Sequence, residues 1–497
     1  MESEELGRRE AELRAARSAN LAALREIGRD PYATTRYDVR AHAADLGERY
    51  ASLAAGDAAE ETVAVAGRIM ALRKMGKNVF FADLIDRTGK VQLYVRKDAL
   101  SESDFAAFES VDIGDVIGAR GTMFRSKAGE LTLRVAALDV LVKCLVPLPD
   151  KWHGLVDVEK RYRQRYVDLI VNQPVRDTFI LRSRILAEMR RFIDAQGFLE
   201  FETPTLLEVA GGAAARRFHT HLNALDIPLE MRIATELALK RLIVGGLERV
   251  YEIGRIFRNE GIDRTHNPEF TMLELYAAYW SMEEMLEFNE GLMAHLVQFV
   301  TGSDTLTYES LTMSFKRPFH RLPYLDGMRL YGGFSREELF DPELAAGIVQ
   351  RLGLPPSPSH GHALDKIFER VVEPHLIDPT FVTDMPTLIS PLAKKKFGDP
   401  ALVERYELFM AHFETANAFT ELNDPKDQRE RFLAQMQARA GGDEEMPEPD
   451  WDFVHALEYG MPPTAGIGIG VDRLIMLLTN SPSIRDVLLF PLQKPLT

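Results

Sequence analysis

The chain has 497 residues, 46% hydrophobic and 27% charged, a globular composition too long for one core, so two or three domains are expected. Its formal net charge of -15 argues against a generic nucleic-acid coat, although phosphates still meet local Lys and Arg patches because salt screens distant charge. The one cysteine, Cys144, allows no internal disulfide and no thiolate cage, and reads as a small buried hydrophobe. The opening "MESEELGRRE" lacks a signal-peptide core, and no apolar run reaches the eighteen or so residues of a membrane helix. A cytoplasmic protein without membrane contact is expected.

In chain order, residues 3–28 have a helical pattern whose arginines (Arg8, Arg9, Arg14, Arg17 and Arg25) interleave with acids. They either touch a polyanion or form a solvated face. From about Thr62 the rhythm becomes period two, and "TVAVAGRIMALR", "NVFFADLIDRTGKVQLYVRK" and "DVIGARGTMFRSKAGELTLRVAALDVLVK" read as strands joined by Gly-containing turns. This predicts a small Greek-key barrel of the oligonucleotide-binding (OB) type. The Pro-punctuated "VPLPDKWHGL" reads as a linker. An amphipathic helix follows in "RSRILAEMRRFIDAQG", with Ile185, Met189, Phe192 and Ile193 on one face, then "FLEFETPTL" as a strand running into proline. The rest alternates strands and helices in one large α+β domain. The expected boundaries are a helical extension over 1–60, the barrel over 61–145, a linker over 146–165 and the large domain over 166–497. "GLPPSPSHGH" and the acidic "GGDEEMPEPD" read as surface loops.

No P-loop or dinucleotide fingerprint is present. The densest chemistry lies in "FRNEGIDRTHNPEFTMLELY", read as strand, polar loop, strand. Period two puts Arg258 and Glu260 on one face of the first strand, and Phe270, Met272, Glu274 and Tyr276 on one face of the second. A carboxylate between a methionine and aromatic rings needs a cation, from a ligand or from a structural Lys or Arg. The loop offers Arg264, His266 and Asn267 to polar ligand edges. In "ERYELFMAHFETANAFTELNDP", Asn417, Phe419 and Glu421 form a second such face, and a reversal near Met410 and Ala411 would set Glu407 opposite Glu414, as for a hard cation. In "GIGIGVDRL", a bulk-free strand meets a helix with Arg473 near its start, where an anion is favoured.

These segments resemble the class II lysyl-tRNA synthetases of bacterial type over nearly the whole chain. "FLEFETP" is similar to the first class II motif, which lies at the dimer interface in that family. "GRIFRNEG" with "HNPEFTMLELY" is similar to the second, and "GIGIGVDRL" to the third; "GGAAARRF" and "NAFTELNDP" resemble the lysine-type sequences. The resemblance implies an OB-type anticodon-binding barrel before an antiparallel-sheet class II catalytic domain, and a homodimer that uses L-lysine, ATP, Mg2+ and tRNA(Lys). By the same resemblance Arg258 and Arg473 are catalytic, and ATP is bound by Arg258, Glu260, His266, Asn267, Phe270, Glu407, Glu414 and Arg473. It gives magnesium to Glu407 and Glu414. Lysine falls to Gly212, Glu236, Arg258, Glu274, Tyr276, Asn417, Phe419 and Glu421, and anticodon bases to Phe81 and Gln92, with Arg73, Lys74 and Glu130 nearby. One departure stands out: where bacterial relatives usually carry Gly-Gly before the second magnesium glutamate, this chain has Ala411 and His412, and the histidine is expected to crowd the pocket or reshape the hairpin.

Overall fold

The computed structural model describes residues 2–149, 155–440 and 448–495, and within them all side chains except those of 2–6 and 437–440. Among these residues no helix is long and apolar enough to cross a membrane. The chain divides into two compact units, Met1–Val156 and Asp157–Thr497.

The first unit opens with a helix over Glu2–Glu26. Its arginines are largely satisfied within the unit. Arg14 pairs with Glu10, while Arg17 is buried and donates to the carbonyls of Ile113 (2.9 Å) and Cys144 (2.5 Å). Five strands follow: β1 (Ala58–Lys74), β2 (Val79–Ile85), β3 (Lys90–Arg96), β4 (Val116–Arg125) and β5 (Leu131–Val142), closed in the order β1-β2-β3-β5-β4. Alternate residues such as Val63, Val65, Leu84, Leu93, Ala119 and Leu133 fill the interior, which is the burial pattern a small barrel imposes on period-two strands. Cys144 is half-buried, with Sγ 3.1 Å from the carbonyl of Val146, and so is not the buried hydrophobe expected.

In the second unit a helix over Val158–Arg163 starts inside the stretch expected to be linker. The central part of that stretch, 150–154, and 441–447 of the acidic loop lie outside the described residues. The unit is built on an eight-stranded sheet: β6 (Leu199–Glu200), β7 (Arg249–Phe257), β8 (Glu269–Ala278), β9 (His320–Pro323), β10 (Thr380–Thr383), β11 (Arg405–Met410), β12 (Phe413–Thr420) and β13 (Thr464–Gly470). Their spatial order is β9-β10-β11-β12-β13-β8-β7-β6; the six central strands run antiparallel and the outermost pairings are parallel.

One face of this sheet carries the core. Leu273, Leu275 and Ala277 of β8, Ala416 and Ala418 of β12, and Ala465, Ile467 and Ile469 of β13 pack on the helices Gln173–Ala195, Met282–Thr301 and Val471–Leu478. Because side chains alternate, the intervening residues must face the other way. They are Phe270, Met272, Glu274 and Tyr276, Asn417 and Phe419, and Gly466, Gly468 and Gly470, and all of them line one cavity. The hydrophobic pattern that builds the core therefore also sets the site.

Candidate active site

The cavity has a volume of about 1050 Å³ and two chemically distinct ends. At the acidic end Glu236 comes from the first turn of the helix Glu236–Val244, Glu274 and Tyr276 from β8, Asn417 and Phe419 from β12, and Glu421 from just past its end. Gly212, with φ of +93°, brings its loop past Ala234 and Glu236, a conformation that disfavours any side chain. Gly466 leaves the space for this end: a Cβ there would overlap Glu421 Oε1 and the Tyr276 ring.

The carboxylates differ in what they touch. Glu274 is 3% exposed; Oε1 accepts the N–H of Thr235 at 3.2 Å and Oε2 accepts the Tyr276 hydroxyl at 3.4 Å. Burial, reinforced by the charge of Glu236, pushes its carboxyl up to about 7. Among the described residues no cation lies within ion-pair distance of it. Glu421 is different, because it pairs with Lys240, whose Nζ also donates to Glu236 Oε1 at 2.5 Å. The structural-cation alternative thus holds for one carboxylate of the two. Burial drives the Glu421 carboxyl far up and Lys240 opposes it. Glu421 Oε1 has no hydrogen-bond partner among the described residues.

The other end is cationic. β7 stops at Phe257, so Arg258 and Glu260 lie beyond it and do not share a strand face as expected; both still reach the cavity. Arg258 sits over the Phe270 ring at 5.3 Å and its Nε donates to the carbonyl of Ile233 at 3.4 Å. Burial pulls its pKa down, against the opposing charges of Glu260, Glu274 and Glu414. Arg473 donates to the carbonyl of Glu414 at 2.9 Å and to Nε2 of His266 at 2.9 Å. His266 Nδ1 lies 2.8 Å from Asp263. Burial of Asp263 is outweighed by bonds from Thr265 and His266, which hold its carboxyl down at about 2, so a carboxylate fixes the ring that meets Arg473. Asn267 is buried and donates to the carbonyl of Glu269 at 2.6 Å, leaving Oδ1 without a partner among the described residues. Arg264 turns away from the cavity, to Glu309 and the carbonyl of Pro482.

Glu407 and Glu414 both line the cavity, but not as a facing pair. The chain reverses at Ala411–His412, one residue later than expected, so Glu414 stands opposite Phe409, and beyond a bulge between Leu408 and Phe409 Glu407 stands opposite Asn417. Glu407 pairs with Arg405; burial, only partly offset by Arg405 and joined by Glu414, raises its carboxyl to about 8. Asp365, held at about 6 by burial, lines the same wall. Among the described residues no three His, Cys, Asp or Glu are grouped to hold a metal unaided. Two nearby carboxylates suit a hard cation that takes its remaining oxygens from a ligand. The turn between them keeps the backbone that glycines favour: Ala411 and His412 both adopt left-handed φ (49° and 73°), at a conformational cost to each, and His412 is not among the cavity-lining residues, so it does not crowd the pocket.

On the barrel, strand pairing sets Phe81 beside Tyr94 and Arg73, with Gln92 opposite Asp83. Phe81, Tyr94 and Phe124 form a row with centroids 5.1 and 5.7 Å apart, and Arg134 covers Phe124 at 4.9 Å. Gln92 is bound by Glu130 (2.8 Å) and Thr132 (3.1 Å), and Arg73 by Asp83 (3.2 Å). Lys74 falls on the other face, over Phe80, which itself packs on Phe108. Sequence reasoning misses Tyr94, Phe124 and Arg134: an aromatic in a barrel strand looks like core, the two-residue spacing of Tyr94 from Gln92 is the one available signal, and Phe124 and Arg134 join them only through strand pairing.

Residues 157–494 match the family described as tRNA synthetases class II (D, K and N), and residues 63–141 match the OB-fold nucleic acid binding domain. Among curated proteins, the chain is 50% identical over 488 residues to a protein of Moorella thermoacetica, covering 98% of both chains. It is 50% identical over 493 residues to one of Halalkalibacterium halodurans, again covering 98% of both, and 49% identical over 497 residues to one of Carboxydothermus hydrogenoformans, covering both completely. Each of the three carries the name "Lysine--tRNA ligase".

Proposed function

The chain belongs to the class II tRNA synthetases of the D, K and N group, and from that premise we propose that it activates L-lysine with ATP and transfers the lysyl group to the 3′ end of tRNA(Lys). The observation that carries the choice of lysine is the acidic end of the cavity: Glu236, Glu274 and Glu421 around Tyr276 and Phe419. Glu236 and Gly212 receive the α-ammonium. Glu274, Tyr276 and the free Oε1 of Glu421 receive the ε-ammonium, with Phe419 as an aromatic wall. Asn417 and Arg258 face the substrate carboxylate.

ATP lies at the cationic end. Phe270 stacks under adenine, Arg258 meets the α-phosphate, and His266 and Arg473 hold the outer phosphates, with Glu260 and Asn267 on polar edges. Glu407 and Glu414 would hold Mg2+, whose part when bound is to neutralise phosphate charge. The lysine carboxylate is already ionised at neutral pH, so adenylate formation needs no general base. The protein's work is to align that carboxylate with the α-phosphorus and to offset the charge that develops, which is the task of Arg258 and Arg473. Diphosphate leaves, and the terminal ribose hydroxyl of the tRNA then takes the lysyl group.

An aspartate pocket would need spare cations around a side-chain carboxylate. The cation behind this wall, Lys240, is already shared by two glutamates. ATP–diphosphate exchange measured with each amino acid decides the matter: exchange with lysine and none with aspartate or asparagine is expected, and the reverse would end the lysine reading. A site built for an ammonium can reject neutral isosteres by about 10⁴-fold.

In domain terms, we assign 1–60 as a helical extension, 61–145 to reading the anticodon, the stretch from 146 to the start of the second unit at Asp157 as the connection, and the rest to catalysis, within the cytoplasm. The Phe81–Tyr94–Phe124 row offers π-faces to splayed anticodon bases. Replacing Phe81 or Tyr94 by alanine should therefore weaken tRNA binding by about 1–3 kcal/mol per stacked base while leaving exchange intact. Aminoacylation kinetics against exchange rates make the comparison, and an unchanged KM for tRNA would remove the row from the interface. The motif around β6 exposes Leu199 and Leu206, as expected of a surface that pairs with a second copy. Light scattering should give the dimer mass at micromolar concentration; a monomer would contradict the pairing.

A further inference from the structure

One buried cation is used by no step above. Lys240 lies on the same helix as Glu236, one turn along, and is 1% exposed. It is not among the residues that line the cavity and stands behind the acidic wall. Its Nζ donates to Glu236 Oε1 at 2.5 Å and contacts Glu421 Oε2, and the rings of Tyr276, Phe419 and Phe453 surround it with centroids 5.8, 5.3 and 5.8 Å away. A single ammonium thus ties a helix residue and a strand-end residue together in an aromatic box. Those two carboxylates are the ones placed at opposite ends of the amino acid.

We propose that Lys240 is a positioning and specificity residue: it holds Glu236 and Glu421 in place for the two amines of the substrate and supplies the charge that completes the site. The proposal rests on the lysine reading of the cavity. Three carboxylates (Glu236, Glu274 and Glu421) face a ligand that brings two ammonium groups there, while Arg258 stands toward the ligand's own carboxylate. Lys240 is the third positive charge. Without it, Glu421 Oε2 is buried with no cation, and the carboxylate either takes up a proton or swings toward the ligand, and both spoil its fit to the ε-ammonium. With it, Oε2 is held in the ion pair with Lys240, and Oε1 lies toward Gly466 with no partner among the described residues. A bidentate arginine would not be equivalent, because its planar fork is larger than the ammonium that three rings and two carboxylates enclose here.

Calorimetric titration of L-lysine and of ATP into the full chain tests this on two variants. For K240Q, lysine affinity should fall at least 30-fold with ATP affinity within twofold of the unaltered protein, and K240R should lose three- to tenfold for lysine alone. Lysine affinity within threefold of the unaltered protein in K240Q would overturn the proposal. So would an equal fall for lysine and ATP, which marks a merely structural residue. Should K240Q fail to fold, K240R decides: a selective three- to tenfold loss for lysine supports the role, and unchanged lysine affinity overturns it. The unaltered protein is titrated first, and if it takes up no lysine the fault lies with the lysine reading and not with Lys240.

Discussion

Replacing Arg258 by alanine is expected to lower lysine-dependent ATP–diphosphate exchange about 10³-fold. Among the described residues this guanidinium has no carboxylate within ion-pair distance, although Glu260, Glu274 and Glu414 all lie near enough to favour its charge. It is held instead by the Phe270 face and a long bond to the carbonyl of Ile233. A preorganised cation with no carboxylate partner is a device for charge that appears only during reaction, and single donors of this kind are worth about 10²–10³ in rate, more on transferring phosphates. Arg258→Lys should recover only part of the loss, since an ammonium cannot span a phosphate and a carboxylate as a fork does. Exchange within tenfold of the unaltered rate in Arg258→Ala would remove Arg258 from the reaction.

Glu421→Gln should raise the KM for lysine about 10²–10³-fold while the KM for ATP stays within twofold. The substitution strips a buried partner from Lys240 and from the incoming ε-ammonium together, and breaking a buried pair costs about 3–5 kcal/mol, partly relieved here by the remaining Glu236 contact. A companion effect separates Glu274 from Glu421. Burial and Glu236 raise the Glu274 carboxyl to about 7 in the free enzyme. Only its ionised form pairs with an ammonium, so kcat/KM for lysine should fall as pH drops through about 7, up to tenfold per unit, and recover above it. Glu274→Gln should lower the plateau and flatten that limb. A limb of the same midpoint in Glu274→Gln would assign the titration to another group.

Much of this site could be read from spacing because β-strands expose every second residue. Phe270, Met272, Glu274 and Tyr276 share a face for that reason, and the glycines of β13 share the same face with them. Where strands end or slip, spacing fails. β7 stops at Phe257, short of Arg258 and Glu260, and the β11–β12 turn falls at Ala411–His412 rather than at Met410–Ala411, so Glu414 pairs with Phe409 and not with Glu407. Lys240 was invisible for another reason. Next to Glu236 at one helical turn it reads as an ordinary surface ion pair, and its second partner, Glu421, becomes a neighbour only through tertiary packing. The barrel repeats the lesson: Phe80 and Phe81 are indistinguishable in sequence, and only the pairing of β2 with β3 turns Phe81 toward Tyr94.

The measurement that bears most directly on the central claim is a crystal structure with L-lysine and a non-hydrolysable ATP analogue bound. The expected result is the ε-ammonium between Glu274 and Glu421 Oε1, the α-ammonium at Glu236, and Lys240 unmoved behind them. An amino acid seated elsewhere, with the Lys240 ammonium extended into the cavity against Glu274, would contradict it.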